Sequence, residues 1–334
     1  MADQNKLVTV ALAVYNVESY LKEALDSIVN QTYRNLEILC IDDCSTDASW
    51  QILQEYANID HRIRIERQTH NQGLSVSRTR ALNEASGEWI LMVDGDDIFA
   101  PDLVEKAVAS ALNNNSDLVI WDYCEFCNTT EIPAAKAVLS CMPLDASDKA
   151  RLLKLLAFTG RRLIKISVAK EIGIYFPTGL TKQDMPAHWL EITLLDNISI
   201  IPERLLYYRL RPGATSNKRG RSLMDLITVS EMVEKDLRRN NLFDNHRHTF
   251  FDMQLSNMMS VYKAIDKPYK AEVKSRIISI LDQDRMDYVC SQKGFANYRR
   301  KVFYQSIAGC RSACAISNAL DALAKVKSSI TKLL

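Results

Sequence analysis

Residues 7–14, Leu-Val-Thr-Val-Ala-Leu-Ala-Val, are a near-continuous apolar and partly β-branched run, which predicts a buried strand. The spacing then changes. Leu21, Leu25, Ile28 and Val29 recur on one face of a predicted helix over 18–30. Residues 36–41 predict a second strand, followed by a helix to about 57 that turns Ile52, Leu53 and Tyr56 inward, with Ser45 or Asp47 as its cap. A short strand over 62–66, a loop at His70–Gly73 and a helix over 74–85 come next. Residues 89–93 are again continuously apolar, bounded by Gly87 and by acids from Asp94 onward, and predict another buried strand. This alternation implies a mostly parallel sheet covered by helices.

The pattern continues with a helix over 102–112, a strand over 117–121, a turn-rich stretch over 128–146 and a helix over 148–158. A helix is predicted after Asp184, with Pro186 in its first turn, and then a strand pair over 198–210. From about 221 the periodicity is helical throughout. Asn240-Asn241 breaks it, and apolar stripes return over 247–265 and 269–282. We therefore expect an α/β domain over 1–217 and a helical region over 218–334.

Polar residues gather where the predicted strands end: Tyr15 and Asn16, Asp42 and Asp43, then Asp94, Asp96 and Asp97. Ligands of parallel sheets bind beyond the carboxyl ends of the strands. Three carboxylates in four residues repel one another unless a cation lies between them. Their hard oxygens suit Mg²⁺ or Mn²⁺ carrying a phosphate. A solvated acidic turn is the plainer alternative for this stretch alone. No G-x-G-x-x-G follows the first strand, and no G-x-x-x-x-G-K-[ST] occurs anywhere, so classical dinucleotide and P-loop sites are excluded. A response-regulator-like phosphoacceptor would leave the Tyr-Asn and Asn-Gln-Gly elements unexplained.

Five segments in order carry a resemblance. They are Val-Tyr-Asn-Val-Glu-x-Tyr-Leu (14–21), Ser-Ile-x-Asn-Gln-Thr (27–32), Ile-Asp-Asp-x-Ser-Thr-Asp (41–47), Asn-Gln-Gly-x-Ser-x-Ser-Arg (71–78) and Gly-Glu-x-Ile-x-x-Val-Asp-x-Asp-Asp (87–97). Together they resemble family 2 glycosyltransferases, which have the GT-A fold. The resemblance implies a nucleotide-sugar donor, usually UDP-linked. It implies Tyr15 stacked on the uracil and Asp43 as acceptor for the base N3–H, with Asn16, Asp42 and Gly95 beside them. It implies Arg78 near the diphosphate and Asp94 and Asp96 as the D-x-D pair for Mn²⁺ or Mg²⁺, with Asp96 typically holding the metal on the diphosphate and Asp94 contacting ribose or uridine; Asp97 is a candidate group behind the metal site or on the acceptor side. Ala13 stands where the family usually has Pro and Cys44 where it usually has Gly, from which we expect only local backbone adjustment.

Further on, Phe176-Pro-Thr-Gly-Leu-Thr-Lys-Gln-Asp184 resembles the family's Phe-Pro-x-Gly-Leu-x-x-Glu-Asp, whose Asp is the usual catalytic base. Gln183 replaces the Glu, and Asp184 keeps the base. Read from the residues alone, Asp184 is equally a helix N-cap. His188 lies four residues on, on the same face, as a candidate phosphate or acceptor contact or a structural histidine. The family often has Asn-Lys-Leu near Arg161–Leu163, so the direct role of Arg161 and Arg162 is in doubt. Arg209 and Arg211 are candidates to clamp the diphosphate or to brace their loop. The resemblance covers about 6–215 and implies an inverting transfer to a glycan or lipid-linked glycan, as in bacterial lipopolysaccharide, capsule or exopolysaccharide synthesis. A catalytically silent nucleotide-sugar-binding scaffold is the alternative.

Composition changes this picture little. A net charge of +1 gives no reason to expect nucleic acid as a partner. No segment reaches the ~18 apolar residues of a membrane span and none resembles a secretory signal, so a cytoplasmic location is expected. The eight cysteines are expected to be free thiols, since Cys124-x-x-Cys127 has no second pair at zinc spacing. Residues 291–334 carry eight Lys or Arg against the single acid Asp321, interleaved with Phe295, Tyr298, Val302, Phe303 and Ile307. A basic amphipathic segment of this kind suits an anionic membrane surface at the inner face, or a homodimer contact.

Overall fold

This computed structural model describes residues 6–127, 145–211 and 220–309. The chain divides into two units, one of Met1–Asn217 with Lys235–Asn240 and one of Lys218–Glu234 with Asn241–Leu334.

The first unit begins as a regular alternation: β1 (Val8–Val14), α1 (Glu18–Val29), β2 (Leu36–Asp42), α2 (Ser49–Ile59), β3 (Ile63–Arg67), α3 (Leu74–Glu84) and β4 (Trp89–Asp94). It continues with β5 (Ile98–Phe99), α4 (Leu103–Asn113), β6 (Leu118–Phe126), α5 (Lys149–Leu152), β7 (Arg162–Lys165), α6 (Ile166–Glu171), α7 (Asp184–Leu194) and β8 (Ile198–Arg209). The eight strands form one sheet in the order β3-β2-β1-β4-β7-β6-β8-β5. Strands β1 to β4 pair in parallel, and β7 runs antiparallel between β4 and β6. Buried Val, Ile and Leu fill β1, β2 and β4 on both faces, because helices cover both.

The register fixes the site. Val14 lies opposite Asp42, and Ala13 opposite Asp94, so the carboxyl ends of β1, β2 and β4 stand side by side. Asp42 in turn pairs with Arg67 at the end of β3.

Some predicted elements differ. The helix expected over 148–158 stops at Leu152. Beyond it the chain turns so that Phe158 packs edge-on against Tyr208 at 5.0 Å and Tyr123 at 6.3 Å. Strand β7 has no counterpart among the predicted elements, and both Arg161 and Arg162, at its start, are buried. The strand predicted over 117–121 runs on to Phe126. The predicted pair over 198–210 is one strand, and its register against β6 shifts between Trp121 and Tyr123. Ile201 pairs with Trp121 and Arg204 with Asp122, so Pro202 sits in the extra residues of a bulge, where its missing N–H costs no ladder bond. The turn-rich stretch over 128–144, the loop over 212–219 and the tail over 310–334 lie outside the described residues.

The second unit is helical, with α8 (Asp225–Arg239) entering it, then α9 (Phe243–Ala264), α10 (Lys270–Ile280), α11 (Gln283–Ser291) and α12 (Phe295–Ile307). Its core holds Phe250, Phe251, Leu255, Met258, Val273, Ile277, Val289 and Tyr304. Buried Arg285 lies over the Phe251 ring at 4.9 Å and bonds Gln254 at 2.7 Å and Glu234. Val302, Phe303 and Ile307, apolar residues assigned above to an amphipathic surface, are buried here, while Tyr298 is exposed. Among the described residues no helix is long and apolar enough to cross a membrane.

Candidate active site

The end of β1 leads into a turn held by side chains. Asn16 has a positive φ of 51°, and its Oδ1 accepts from the Thr46 backbone N–H at 2.8 Å. The starts of α1 and α2 exchange carboxylates: Asp47 accepts from the Glu18 N–H at 3.0 Å, and Glu18 accepts from the Ala48 N–H at 2.7 Å. Asp47 also accepts from the Ser49 N–H at 3.0 Å, beside the start of α2. Tyr15 projects from this turn with 44 % of its surface exposed, as a ring that stacks on a planar ligand must.

The two acids after β2 separate. Asp42 is fully buried, pairs with Arg67 Nε at 3.0 Å and accepts from the Ser45 N–H at 3.2 Å, so it braces the loop. Asp43 points the other way, to the Asn71-Gln72-Gly73 loop. Its Oδ1 accepts from Gln68 Nε2 at 2.8 Å and the Gln72 N–H at 2.7 Å, and its Oδ2 from the Gly73 N–H at 2.8 Å. A carboxylate has about four acceptor positions, so Oδ2 keeps one for a ligand N–H. Gly73 has a φ of +89°, a conformation that side chains rarely adopt, and it brings its N–H onto Asp43.

At the end of β4 each acid has its own arginine. Asp94 Oδ1 accepts from Arg78 Nη2 at 2.9 Å. Asp96 Oδ2 accepts from Arg211 Nε at 2.5 Å. Asp97 is buried, and its Oδ1 takes the Arg209 backbone N–H at 2.9 Å. Burial, and then the charge of Asp94, pushes the Asp96 carboxyl above its ordinary range. Burial and both neighbouring acids push Asp97 well above it. The Gly95 Cα faces Val17 and Leu21, where an added Cβ would come within 3.1 Å of the Val17 methyl, so the turn presses against α1 and offers a ligand only backbone. Buried Arg209 lies between the rings of Tyr20 (5.0 Å) and Phe126 (4.5 Å), donates to the Asp96 carbonyl at 2.8 Å and pairs with Glu23. These bonds make Arg209 a brace beneath the acidic turn.

Arg78, on α3, reaches both ways. Its Nη2 meets Asp94, and its Nη1 donates to Gln183 Oε1 at 3.1 Å. Gln183 precedes α7, and Asp184 is the first helical residue rather than the cap: no side-chain cap bond forms. Among the described residues the Asp184 carboxylate has no side-chain hydrogen-bond partner. Burial raises its pKa, against the positive charges of Arg78, Arg162 and Lys182. His188 is buried one turn further, with Nδ1 at 3.3 Å from Arg162 Nη2. Burial, and then the adjacent guanidiniums of Arg162 and Arg161, hold it well below its usual pKa, and its ring packs against Arg162. Arg162 pairs with buried Glu191, and Arg161 donates to the Trp121 carbonyl at 3.0 Å and lies over the Tyr123 ring at 5.0 Å. Both arginines are internal.

Sequence reasoning gave no role to Gln68, to Glu23 or to Ser75, although Ser75 stands in the Asn-Gln-Gly-x-Ser-x-Ser-Arg segment. Gln68 follows directly on β3 at the same sheet edge, so the rule that picked out the other strand ends also finds it. Ser75 and Glu23 act through partners more than a hundred positions away and leave no local sign of them.

The donor set suits a divalent cation. Asp94 and Asp96 offer hard oxygens whose charges oppose each other. Among the described residues no cluster of three or more His, Cys, Asp or Glu stands ready for a metal. Two carboxylates completed by ligand phosphate are the usual complement of Mg²⁺ or Mn²⁺ in phosphate chemistry. The described cysteines, Cys124 and Cys127 included, are free thiols.

The family model for glycosyl transferase family 2 matches residues 9–169, the span that holds the ends of β1, β2, β3 and β4. An uncharacterized glycosyltransferase of Haemophilus influenzae is 30% identical over 218 residues, which cover 63% of this chain and 68% of that protein. Glycosyltransferase GlyA of Streptococcus pneumoniae is 43% identical over 119 residues, 36% of this chain but 17% of GlyA, so the chain spans a small part of that relative's length. Among solved structures, S. aureus TarS 1–349 in complex with UDP-GlcNAc superposes with a TM-score of 0.73 at 21% identity, covering 92% of this chain and 89% of TarS 1–349. A mannosyltransferase of Pyrobaculum calidifontis, PcManGT in complex with GDP-Man and Mn²⁺, superposes with a TM-score of 0.53 at 16% identity, covering 95% and 87%. The fold is that of the GT-A transferases, and the chain belongs to glycosyl transferase family 2.

Proposed function

We propose that this chain is an inverting glycosyltransferase. It moves a hexose, hexuronate or N-acetylhexosamine from a UDP-linked donor to a hydroxyl of a glycan or lipid-linked glycan in the synthesis of a bacterial surface polysaccharide. Tyr15 stacks on the uracil, and the remaining acceptor position of Asp43 Oδ2 takes the imide N–H. Asp94 and Asp96 hold the metal, which supplies positive charge to the leaving diphosphate. Arg78 adds a fixed cationic fork at the same place. Asp184 accepts the proton of the acceptor hydroxyl as that oxygen bonds to the anomeric carbon and the bond to UDP breaks. One displacement inverts the centre, so an α-linked donor gives a β-linked product.

The observation that supports this most is the reach of Arg78, whose two nitrogens bond Asp94 of the D-x-D pair and Gln183 beside Asp184. Donor-side acids and a carboxylate without a side-chain partner thereby lie around one guanidinium. The relatives' names support the setting, among them a putative teichuronic acid biosynthesis glycosyltransferase of Bacillus subtilis and a poly(ribitol-phosphate) beta-glucosyltransferase of Bacillus spizizenii. TarS, bound to UDP-GlcNAc, supports a UDP donor. Val302, Phe303 and Ile307 of the basic segment are core and lend no apolar face to an anionic membrane.

The test is UDP release from a panel of UDP-sugars with Mn²⁺, in the native chain and in Asp184→Asn. Release by the native chain and its loss in the variant support the reading. No release with any donor, alongside tight UDP binding, would instead establish a silent nucleotide-sugar binder.

A further inference from the structure

Gln183 stands beside the proposed base, buried, and among the described residues its side chain bonds Arg78 alone. Arg78 is itself buried, with 4 % of its side chain exposed, and lies 5.9 Å over the Phe176 ring. A guanidinium so enclosed needs an acceptor for each arm. Asp94 neutralises one arm. Gln183 accepts from the other as a neutral amide and neutralises nothing.

We propose that Gln183 is a positioning residue, which holds Arg78 between Asp94 and Asp184 while leaving its positive charge available to both. This rests on the reading of Asp184 as general base. The Glu that the family has at this place would make the same hydrogen bond, but it would add a second carboxylate to Arg78 besides Asp94 and set another anion next to the base, which this chain's amide does not. An apolar side chain of equal length would release the Nη1 arm, and the fork would turn about Asp94 alone.

The charged groups that face Asp184 are Arg78 from α3, Arg162 from β7, Lys182 from its own loop and Glu191 from α7. Arg162 is already paired with Glu191, and Lys182 is exposed. Arg78 is therefore the cation whose influence on the base residue 183 controls.

The experiment measures kcat and KM for the UDP-sugar donor against pH in the native chain, Gln183→Glu, Gln183→Met and Asp184→Asn. In Gln183→Glu the acid limb of kcat/KM is expected to move to higher pH by about half a unit or more, from the lost net positive charge. In Gln183→Met, which keeps the volume but not the acceptor, kcat is expected to fall about tenfold through misplacement of Arg78, with donor KM changing less. Circular dichroism and melting temperature report folding of each variant. An unmoved acid limb in folded Gln183→Glu, with Asp184→Asn inactive, overturns the proposal and leaves the base reading standing. Should Gln183→Glu not fold, an unchanged kcat in folded Gln183→Met overturns it equally. Native turnover in Asp184→Asn overturns the base reading and the proposal with it.

Discussion

Ser75 donates its hydroxyl to the carbonyl oxygen of Pro177 at 2.7 Å, across 102 positions of sequence. The bond is buried, and it ties the start of the helix that carries Arg78 to the loop that ends at Asp184. Replacing Ser75 by Ala leaves the Pro177 carbonyl without this donor. We expect a loss of roughly 1–3 kcal/mol of stability, read by urea denaturation. We also expect kcat to fall more than donor KM rises, since the two sides of the site lose their shared anchor. A variant with native stability and native kcat would show that the bond holds neither.

Cys44 has a φ of +60°, a backbone region that costs an L side chain roughly 1–2 kcal/mol. The residue common at this point in the family is Gly, which adopts it freely, and the chain here keeps the same turn with a side chain in place. Cys44→Gly is therefore expected to stabilise the fold by about 0.5–1 kcal/mol, the extra freedom of Gly in the unfolded chain offsetting part of the relief. Cys44→Val, branched at Cβ, is expected to destabilise it. Thermal melts of the three proteins check both signs, and a lower melting temperature for Cys44→Gly would contradict the argument.

The first half of the molecule was legible because strands buried on both faces read as unbroken apolar runs, and the polar residue that ends each run marks the sheet edge. That logic places Tyr15, Asp43, Asp94 and Asp96 on one rim. It also leaves open which of Asp42 and Asp43 faces outward, and the register answers: Asp42 turns in to Arg67, Asp43 out to Gly73. What stayed hidden depended on distant partners. Arg161 and Arg162 show no role until Glu191, His188 and the Trp121 carbonyl are brought to them. Arg209 reads equally as a phosphate clamp or a loop brace until Glu23 and two aromatic rings enclose it. Residues 148–158 have helical spacing, and packing of Phe158 against Tyr208 ends the helix early.

Arg211 and a cation compete for one oxygen. Its Nε lies 2.5 Å from Asp96 Oδ2, so a metal on that oxygen meets a positive charge already beside it. Arg211→Ala is expected to bind Mn²⁺ more tightly than the native chain when no nucleotide is present, by several-fold, as read by electron paramagnetic resonance titration of free Mn²⁺. Chelation by EDTA is expected to abolish UDP release in both proteins, and added Mn²⁺ to restore it. Equal or weaker Mn²⁺ binding by Arg211→Ala would mean that the ion does not use Asp96 Oδ2.

Asp184→Asn is expected to be inactive and yet more stable at neutral pH. Burial is the largest influence on Asp184 and raises its pKa above the unfolded value, more than Arg78 and Arg162 lower it. A carboxyl raised on folding binds its proton more readily in the folded chain than in the unfolded one. Its stabilising effect is full below the unfolded pKa, near 4, and is lost as pH rises through the folded value. At pH 7 this partly exposed but desolvated charge is therefore a net cost, and a neutral amide of the same shape removes it. The amide also relieves Glu191, which the Asp184 charge helps to push upward. The gain in urea midpoint over the native chain should be present at pH 7 and diminish as pH falls through the raised folded value toward the unfolded one, about 4. Turnover should fall by at least about a hundredfold, the usual range for a lost general base. A variant that lost activity and stability together at pH 7 would instead make Asp184 a structural partner of the arginines, with its charge required for folding.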